Sequence, residues 1–345
     1  MKHLIPGLLA LLTFLSPALA HEGHEHDHSE NPVATEMITA ANSLLGILND
    51  EQKKAAQFEF KADERENWHY VPLDRKGLRL DTTGIEVQHL ARALLATSLS
   101  HKGYLTASQI MSLEHYLAQF NDTPDYRNPG KYYVSIFGKP AAKGTWGWRY
   151  EGHHLSINLT LVNGVVQDTP TFFGTNPGEI KDGPRKGMRP LGEAEDAARA
   201  LATEFHQAGH PVVFSDKAPE EILTGQDRSA KTLEKQGLAS ATLSAAERKK
   251  LLHLIEVIYS YQRAETGAAE LKKLHLQHAK NITFAWAGSL ERGKAHYFRL
   301  QSPDILIEYA NTQNDANHAH LVLRHLKDDF GRDLLKEHYQ DGHKH

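Results

Sequence analysis

The chain has 345 residues, 40% of them hydrophobic and 24% charged, which supplies enough apolar material for a substantial core and excludes wholesale disorder. Its 39 basic and 43 acidic side chains leave a formal charge of -4, so no global field draws it to nucleic acid or anionic lipid. The absence of cysteine excludes disulfides, thiolate metal sites, iron–sulfur clusters and a cysteine nucleophile, whereas 23 histidines, the commonest metal ligand type, stand out.

From the N-terminus, Met1-Lys2-His3 is a short basic start, Leu4 to Leu15 is largely apolar, and Ala18-Leu19-Ala20 offers an A-x-A cleavage pattern. Residues 1–20 are therefore expected to be a secretory signal peptide, with the mature chain periplasmic or secreted. No later segment reaches the roughly 18 apolar residues of a membrane span. Residues 21–32 read as a His-rich arm in which His21, His24, His26 and His28, interleaved with acids, would capture Zn or Cu weakly. Residues 341–345 form a smaller His-containing tail, and 33–340 are expected to be one domain without an internal repeat.

Within that domain the spacing predicts a helix over 34–59. Thr83 with Glu86 reads as a capping box leading Val87, Leu90, Ala91, Leu94 and Leu95. Thr106 with Gln109 reads as another, leading Ile110, Leu113 and Leu117. Aromatic and β-branched residues predict strands over 132–137 and 146–162, and Asn163-Gly164 predicts a hairpin returning through Val165 and Val166. A helix is expected over 193–207. Ser244 with Glu247 marks a third capping box ahead of the stripe Leu251, Leu254, Ile255, Ile258 and Tyr259, and a further helix is expected over 266–278. Strands over 281–287, 295–301, 304–309 and 320–326 suggest a meander, and a last helix is expected over 328–339. Helices grouped apart from strands predict an α+β fold, an antiparallel sheet packed with several helices. No G-x-G-x-x-G and no P-loop is present, so nucleotide folds are not indicated.

Two segments carry candidate chemistry. In Arg149-Tyr150-Glu151-Gly152-His153-His154, strand alternation would put Glu151 and His153 on one face and His154 on the other with Ser156 and Asn158. In Asn317-His318-Ala319-His320, both imidazoles would point to one face as the last strand opens. A hairpin would bring Glu308 and Tyr309 near them, with Arg324 in register by twos. Glu151, His153, His154, His318 and His320 thus form a candidate ligand set for Zn or Cu, with Arg149, Glu308, Tyr309 and Arg324 in support. Without a metal, His153 or His154 could serve as a general base and an arginine could bind an anion. Hydrogen-bonded scaffold histidines are the plainer alternative. Trp146, Trp148, Tyr150, Phe172 and Phe173 are expected mostly as packing. His206 and His210 are four apart, but Gly209 and Pro211 end the helix between them; His275 and His278 share a helical face with lysines and read as solvated; and Asp329-Phe330-Gly331 reads as a chance likeness to the kinase metal motif.

The wider motif string resembles a known family. It includes Arg65-Glu66-Asn67-Trp68-His69-Tyr70, Ser100-His101-Lys102-Gly103-Tyr104, Trp146-Gly147-Trp148-Arg149, Glu151-Gly152-His153-His154-Leu155-Ser156, Phe172-Phe173-Gly174, Asn176-Pro177 and Asn317-His318-Ala319-His320. The chain is similar over roughly 35–340 to the Domain of Unknown Function 3500 family, with Asn128 where that pattern leads one to expect Asp. The resemblance implies bacterial export and a single domain, brings no activity, and suggests that the two His segments are hallmarks. Three functions remain open: acquisition, buffering or delivery of Zn or Cu; a metal-dependent hydrolase or oxidoreductase; and a metal-free small-ligand module.

Overall fold

The computed structural model describes residues 31–119 and 126–341, so the expected signal peptide and most of the tail lie outside the described residues, as does the expected arm except for Asn31 and Pro32, which cap and open the first helix. The helices are α1 (Pro32–Ile47), α2 (Asp50–Ala56), α3 (Ile85–Ala96), α4 (His101–Ala118), α5 (Gly192–Gln207), α6 (Ala245–Tyr259), α7 (Ala264–Lys273) and α8 (Arg332–Asp341). The strands are β1 (Gln57–Phe58), β2 (Leu78–Arg79), β3 (Tyr132–Gly138), β4 (Thr145–Gly152), β5 (Leu155–Val162), β6 (Val165–Gln167), β7 (Thr171–Thr175), β8 (Val213–Ser215), β9 (Leu238–Ala239), β10 (Thr283–Gly288), β11 (His296–Gln301), β12 (Ile305–Gln313) and β13 (His318–His325). All thirteen strands join one mostly antiparallel sheet, whose main path runs β1-β3-β4-β5-β7-β13-β12-β11-β10-β8. The α+β expectation holds.

Local signals decide most boundaries. Ser244 and Glu247 make the expected reciprocal cap of α6. The two other expected boxes are not formed. α3 starts at Gly84 without a side-chain cap, because Thr83 Oγ1 donates to Leu80 O at 2.7 Å. Ser100 starts α4 six residues ahead of Thr106 by accepting from Gly103 N at 3.0 Å. The expected 34–59 helix is divided at Leu48-Asn49, where Asn49 and Gln52 form a capping box of their own. Asn163 (φ 48°) and Gly164 (φ 79°) form the predicted hairpin tip. The expected 146–162 strand is interrupted at His153-His154.

The two halves of the chain follow a similar order of elements, a likeness of architecture that the sequence does not mark as a repeat. α1 and α5 are followed by β1 and β8, which run parallel to β3 and β10 respectively. β2 and β9 pair antiparallel with the same two strands. Each leads through a 3-10 turn into a helix pair, α3–α4 or α6–α7, and then into a meander. Gly77 (φ +111°) and Gly237 (φ +82°) precede β2 and β9, where a Cβ would lie 2.6 Å from Ser135 Oγ and 2.5 Å from Phe284 O. Both turns therefore need glycine. The helix–helix corners pair with each other through Ser100 N to Tyr261 O and Arg263 N to Ser98 O. Repetition of this kind escapes a sequence reading because packing constrains size and polarity, not residue identity.

β7 and β13 join the halves, with Phe173 opposite Leu321 and Phe172 opposite Val322. Alternation sends these pairs to opposite faces. Phe173 and Leu321 enter the large core under the helices. Phe172 and Val322 enter a smaller cluster with Trp68, Tyr70, Ile222 and Phe330, covered by irregular segments. The smaller face also buries charge. Arg149 lies 2.6 Å from Glu64 and 2.9 Å from Glu151, and Arg324 lies 2.6 Å from Asp329.

Asp168, between β6 and β7, is buried and accepts from Thr266 Oγ1 at 2.8 Å, and burial pushes its carboxyl up to about 6. The folded chain keeps this proton after the unfolded chain has lost it. Its stabilising effect is thus complete below the unfolded value of 3.8 and lost as pH rises through about 6. Asp168→Asn is expected to gain roughly 2–3 kcal/mol on the wild type between about pH 4 and about pH 8 in urea unfolding. A difference independent of pH would contradict this burial.

Candidate metal centre

The centre lies at the end of the β7–β13 pair where Gly174 stands opposite His320. β4 ends at Gly152, and His153-His154 form a two-residue turn into β5, with His154 in the left-handed region at φ 62°. Such a backbone costs a non-glycine residue about 1–2 kcal/mol. Hydrogen bonds hold it there: His154 N donates to Tyr70 O at 2.9 Å, and Gly174 N donates to His154 O at 2.7 Å. The turn cancels the strand alternation that would have put Glu151 and His153 on one face. It aims the His154 ring across β7 toward β13.

His318 and His320 begin β13 after a loop in which Asn314, Asp315 and Ala316 all have positive φ. The Asn317 side chain staples this loop to the segment after β7, accepting from Glu179 N at 2.7 Å and donating to Glu179 O at 3.2 Å. The rings of His154, His318 and His320 converge. His154 Nε2 lies 2.8 Å from His318 Nε2, and the donor atoms of the three all lie within 4.8 Å of one another. Four ligands around a tetrahedral zinc, with nitrogens at about 2.0–2.1 Å, stand roughly 3.3 Å apart, so small ring movements would close the trio on an ion.

His320 is the most informative member. Its Nδ1 lies 2.7 Å from each carboxylate oxygen of Glu221. A carboxylate can only accept, so this contact takes an N–H from Nδ1, and in a neutral imidazole Nε2 is then the atom with the lone pair. His320 Nε2 is buried and has no hydrogen-bond partner. A carboxylate behind one imidazole nitrogen with the other left bare is the usual setting of a metal-ligating histidine. Burial, reinforced by the neighbouring imidazoles, holds His154 well below the usual histidine range, and burial with His320 beside it pushes His318 down to about 3. Both rings are neutral near pH 7, the form that binds a metal.

His153 stacks on His154 with ring centroids 3.7 Å apart but faces another set of partners. Its Nδ1 lies 2.5 Å from Glu114 Oε1 and 3.0 Å from an Arg127 nitrogen. Burial lowers its proton affinity, partly offset by Glu114. Glu114, His153 and His154 make a second group with donor atoms within 4.8 Å.

The remaining sequence candidates lie elsewhere, each with its own partner. Glu151 bonds Arg149 and accepts from His69 N at 2.9 Å. Arg149 spans Glu64 and Glu151, and Arg324 is sequestered by Asp329. β12 runs on past Glu308 and Tyr309, whose partners are Val322 and Leu321, while Ala310 faces His320. Glu308 instead accepts from Leu223 N, Thr224 N and Tyr297 Oη, and Tyr309 donates to Glu195 at 3.1 Å. Trp146, Trp148, Tyr150, Phe172 and Phe173 are buried as packing. His278 lies 2.9 Å from Asp304 rather than in solvent.

Sequence reasoning missed Glu114, Glu221, Arg127 and Gly174. Glu114 had a signal, an acid within the apolar stripe of α4 between Leu113 and Leu117. Glu221 had none, lying on an irregular strap over 216–236 whose path only the packing fixes.

A family model described as a protein of unknown function (DUF3500) matches residues 30–332 of the chain. No curated protein and no solved structure matches it. Among the described residues no helix is long and apolar enough to cross a membrane.

A Cβ at Gly174 would lie 2.8 Å from His154 Cδ2 and 3.0 Å from His320 Cδ2. Gly174→Ala is therefore expected to cost roughly 1–3 kcal/mol and to displace both rings. Urea unfolding and histidine ring resonances report the two effects, and unmoved His154 and His320 resonances would refute the packing described here.

Proposed function

The chain belongs to the DUF3500 family, and we propose that it is an exported metal-binding protein that holds one zinc or copper ion through His154, His318 and His320. The observation that carries this reading is the bare, buried Nε2 of His320, facing two neutral imidazoles and backed by Glu221. Neutral imidazole suits zinc and copper, and the chain has no cysteine to favour a softer site. Glu151 drops out of the ligand set, because its carboxylate already neutralises Arg149. Acquisition, buffering or delivery needs no more than this.

Three protein ligands rather than four leave one coordination position open, which favours a second reading as a metal-dependent hydrolase or oxidoreductase. The two readings share a site and differ in turnover. In both, His21, His24, His26 and His28 would gather the ion outside the folded part.

The test is metal content of the full chain carrying alanine at those four arm positions. One equivalent of zinc or copper is expected after dialysis, falling to near zero in His318→Ala and in His320→Ala. Glu221→Gln is expected to weaken binding by roughly 10–100-fold, since it leaves the ligands in place but removes the charge behind His320. A protein that stays metal-free at micromolar zinc and copper would rule the reading out in favour of a metal-free ligand module. Export is checked separately: a periplasmic or secreted product whose mass begins at His21 is expected, and retention of residues 1–20 would contradict it.

A further inference from the structure

A separate cleft lies across the sheet from the three histidines. It encloses about 330 Å³, at the lower end of the range of about 300–1,000 Å³ usual for small-molecule sites. Its walls come from distant segments: Glu179 and Lys181 after β7, Arg189 ahead of α5 and Glu195 within it, Arg292 in the turn between β10 and β11, and Asn311 near the end of β12. Asn311 stands opposite Ala319, a residue of the large core, so the cleft belongs to the helix-covered face of the sheet. His320 stands opposite Ala310, a residue of the smaller cluster on the other face.

In this cleft the acceptors are spent and the donors are not. Glu195 accepts from Arg199 at 2.7 Å, Arg189 at 3.1 Å and Tyr309 at 3.1 Å. Arg189 is pinned in turn by Glu195 and both carboxylate oxygens of Asp196, so it shapes the wall. One oxygen of Glu179, Oε2, receives both Lys181 Nζ at 2.9 Å and Arg292 Nη2 at 3.3 Å. Lys181 on that oxygen, with Arg292 and Arg189 nearby, holds the Glu179 carboxyl below the usual carboxylate range. A single carboxylate thus serves two cations, and the rest of the Arg292 guanidinium has no partner among the described residues. With Asp196 and Arg199 counted beside the lining groups, the cations remain one ahead of the carboxylates.

The floor adds a neutral donor. Asn311 is 5% exposed, and its Oδ1 accepts from His318 N at 3.1 Å. That bond fixes which end of the amide is which, and Nδ2 is left without a hydrogen-bond partner among the described residues. A nearly buried amide donor beside a surplus of positive charge calls for an acceptor that carries negative charge.

We propose that this cleft binds a small anionic molecule through a carboxylate or phosphate group, taken by Arg292 and Lys181 at the rim and by Asn311 Nδ2 at the floor. The planar guanidinium suits either group, and the ammonium adds a point charge. The site is distinct from the metal centre and stands whether or not the metal-binding reading does.

The test titrates the full chain, without added metal, with succinate and with inorganic phosphate in separate calorimetric experiments. Salt is held at about 0.15 M, where attraction between distant exposed charges is largely screened. Saturable binding of at least one anion, with a dissociation constant of about 1 mM or tighter, is expected. Succinate alone would assign a carboxylate ligand, and phosphate alone a phosphorylated one. Arg292→Gln is expected to weaken binding by roughly tenfold or more, and Lys181→Gln by less. Lys249→Gln, which removes the same charge from the exposed side of α6, is expected to leave it unchanged. Binding is also expected to shift the Asn311 side-chain amide and the His318 backbone amide resonances, since the two groups are bonded to each other. No saturable heat with either anion would overturn the proposal. Binding that survives both Arg292→Gln and Lys181→Gln, or that weakens as much in Lys249→Gln, would overturn the site, and an unmoved Asn311 resonance would remove that residue from it.

Discussion

The antiparallel pairing of β7 with β13 is the contact on which the rest depends. It closes two meanders into one sheet, and it sets the register that puts Gly174 opposite His320. A one-residue slip would send every side chain of one strand to the other face, exchanging Phe173 for Phe172 in the main core. The same register leaves a side-chain gap at Gly174, and the His154 and His320 rings fill it from either side. Core packing and the candidate metal centre are thus fixed by one pairing.

The likeness of the two halves sets the His153-His154 turn against an ion-paired turn in the second half. The turn between β11 and β12 occupies in the second half the place of the His153-His154 turn in the first. There Asp304 lies 2.6 Å from Lys273, 2.9 Å from His278 and 2.9 Å from Lys327. The helix-to-turn pair Glu114–His153 is thereby reversed, with the base on the helical side and the acid in the turn. Lysine ammonium groups supply the positive charge at that end.

Buried charge on the smaller face follows a consistent logic. Arg149 and Arg324 each have a carboxylate within 3 Å, and Glu308 has four donors on it. Losing one partner would leave an uncompensated ion in a dry setting. These groups are therefore committed to holding the irregular coverings, the 3-10 turn over Asp63–Glu66 that carries Glu64 and the 216–236 strap, onto the sheet. That commitment is why acids and arginines beside the histidines in sequence do not join them in space.

Sequence by itself determined the α+β class, the Asn163-Gly164 hairpin, the Ser244 cap, the four-strand meander and the family, and offered Glu151, His153, His154, His318 and His320 as one undivided candidate set. Each of these rests on local spacing or on a few side chains in direct succession. Tertiary structure alone decided the left-handed turn at His154, the exclusion of Glu151, the entry of Glu114, Glu221 and Arg127, and the doubling of the fold. Each of those follows from contacts between residues tens to hundreds of positions apart, set by which buried charge finds a partner and which backbone group finds a hydrogen bond. Period-two alternation holds only while the ladder continues, and a single residue at positive φ ends it without any mark in the composition around it.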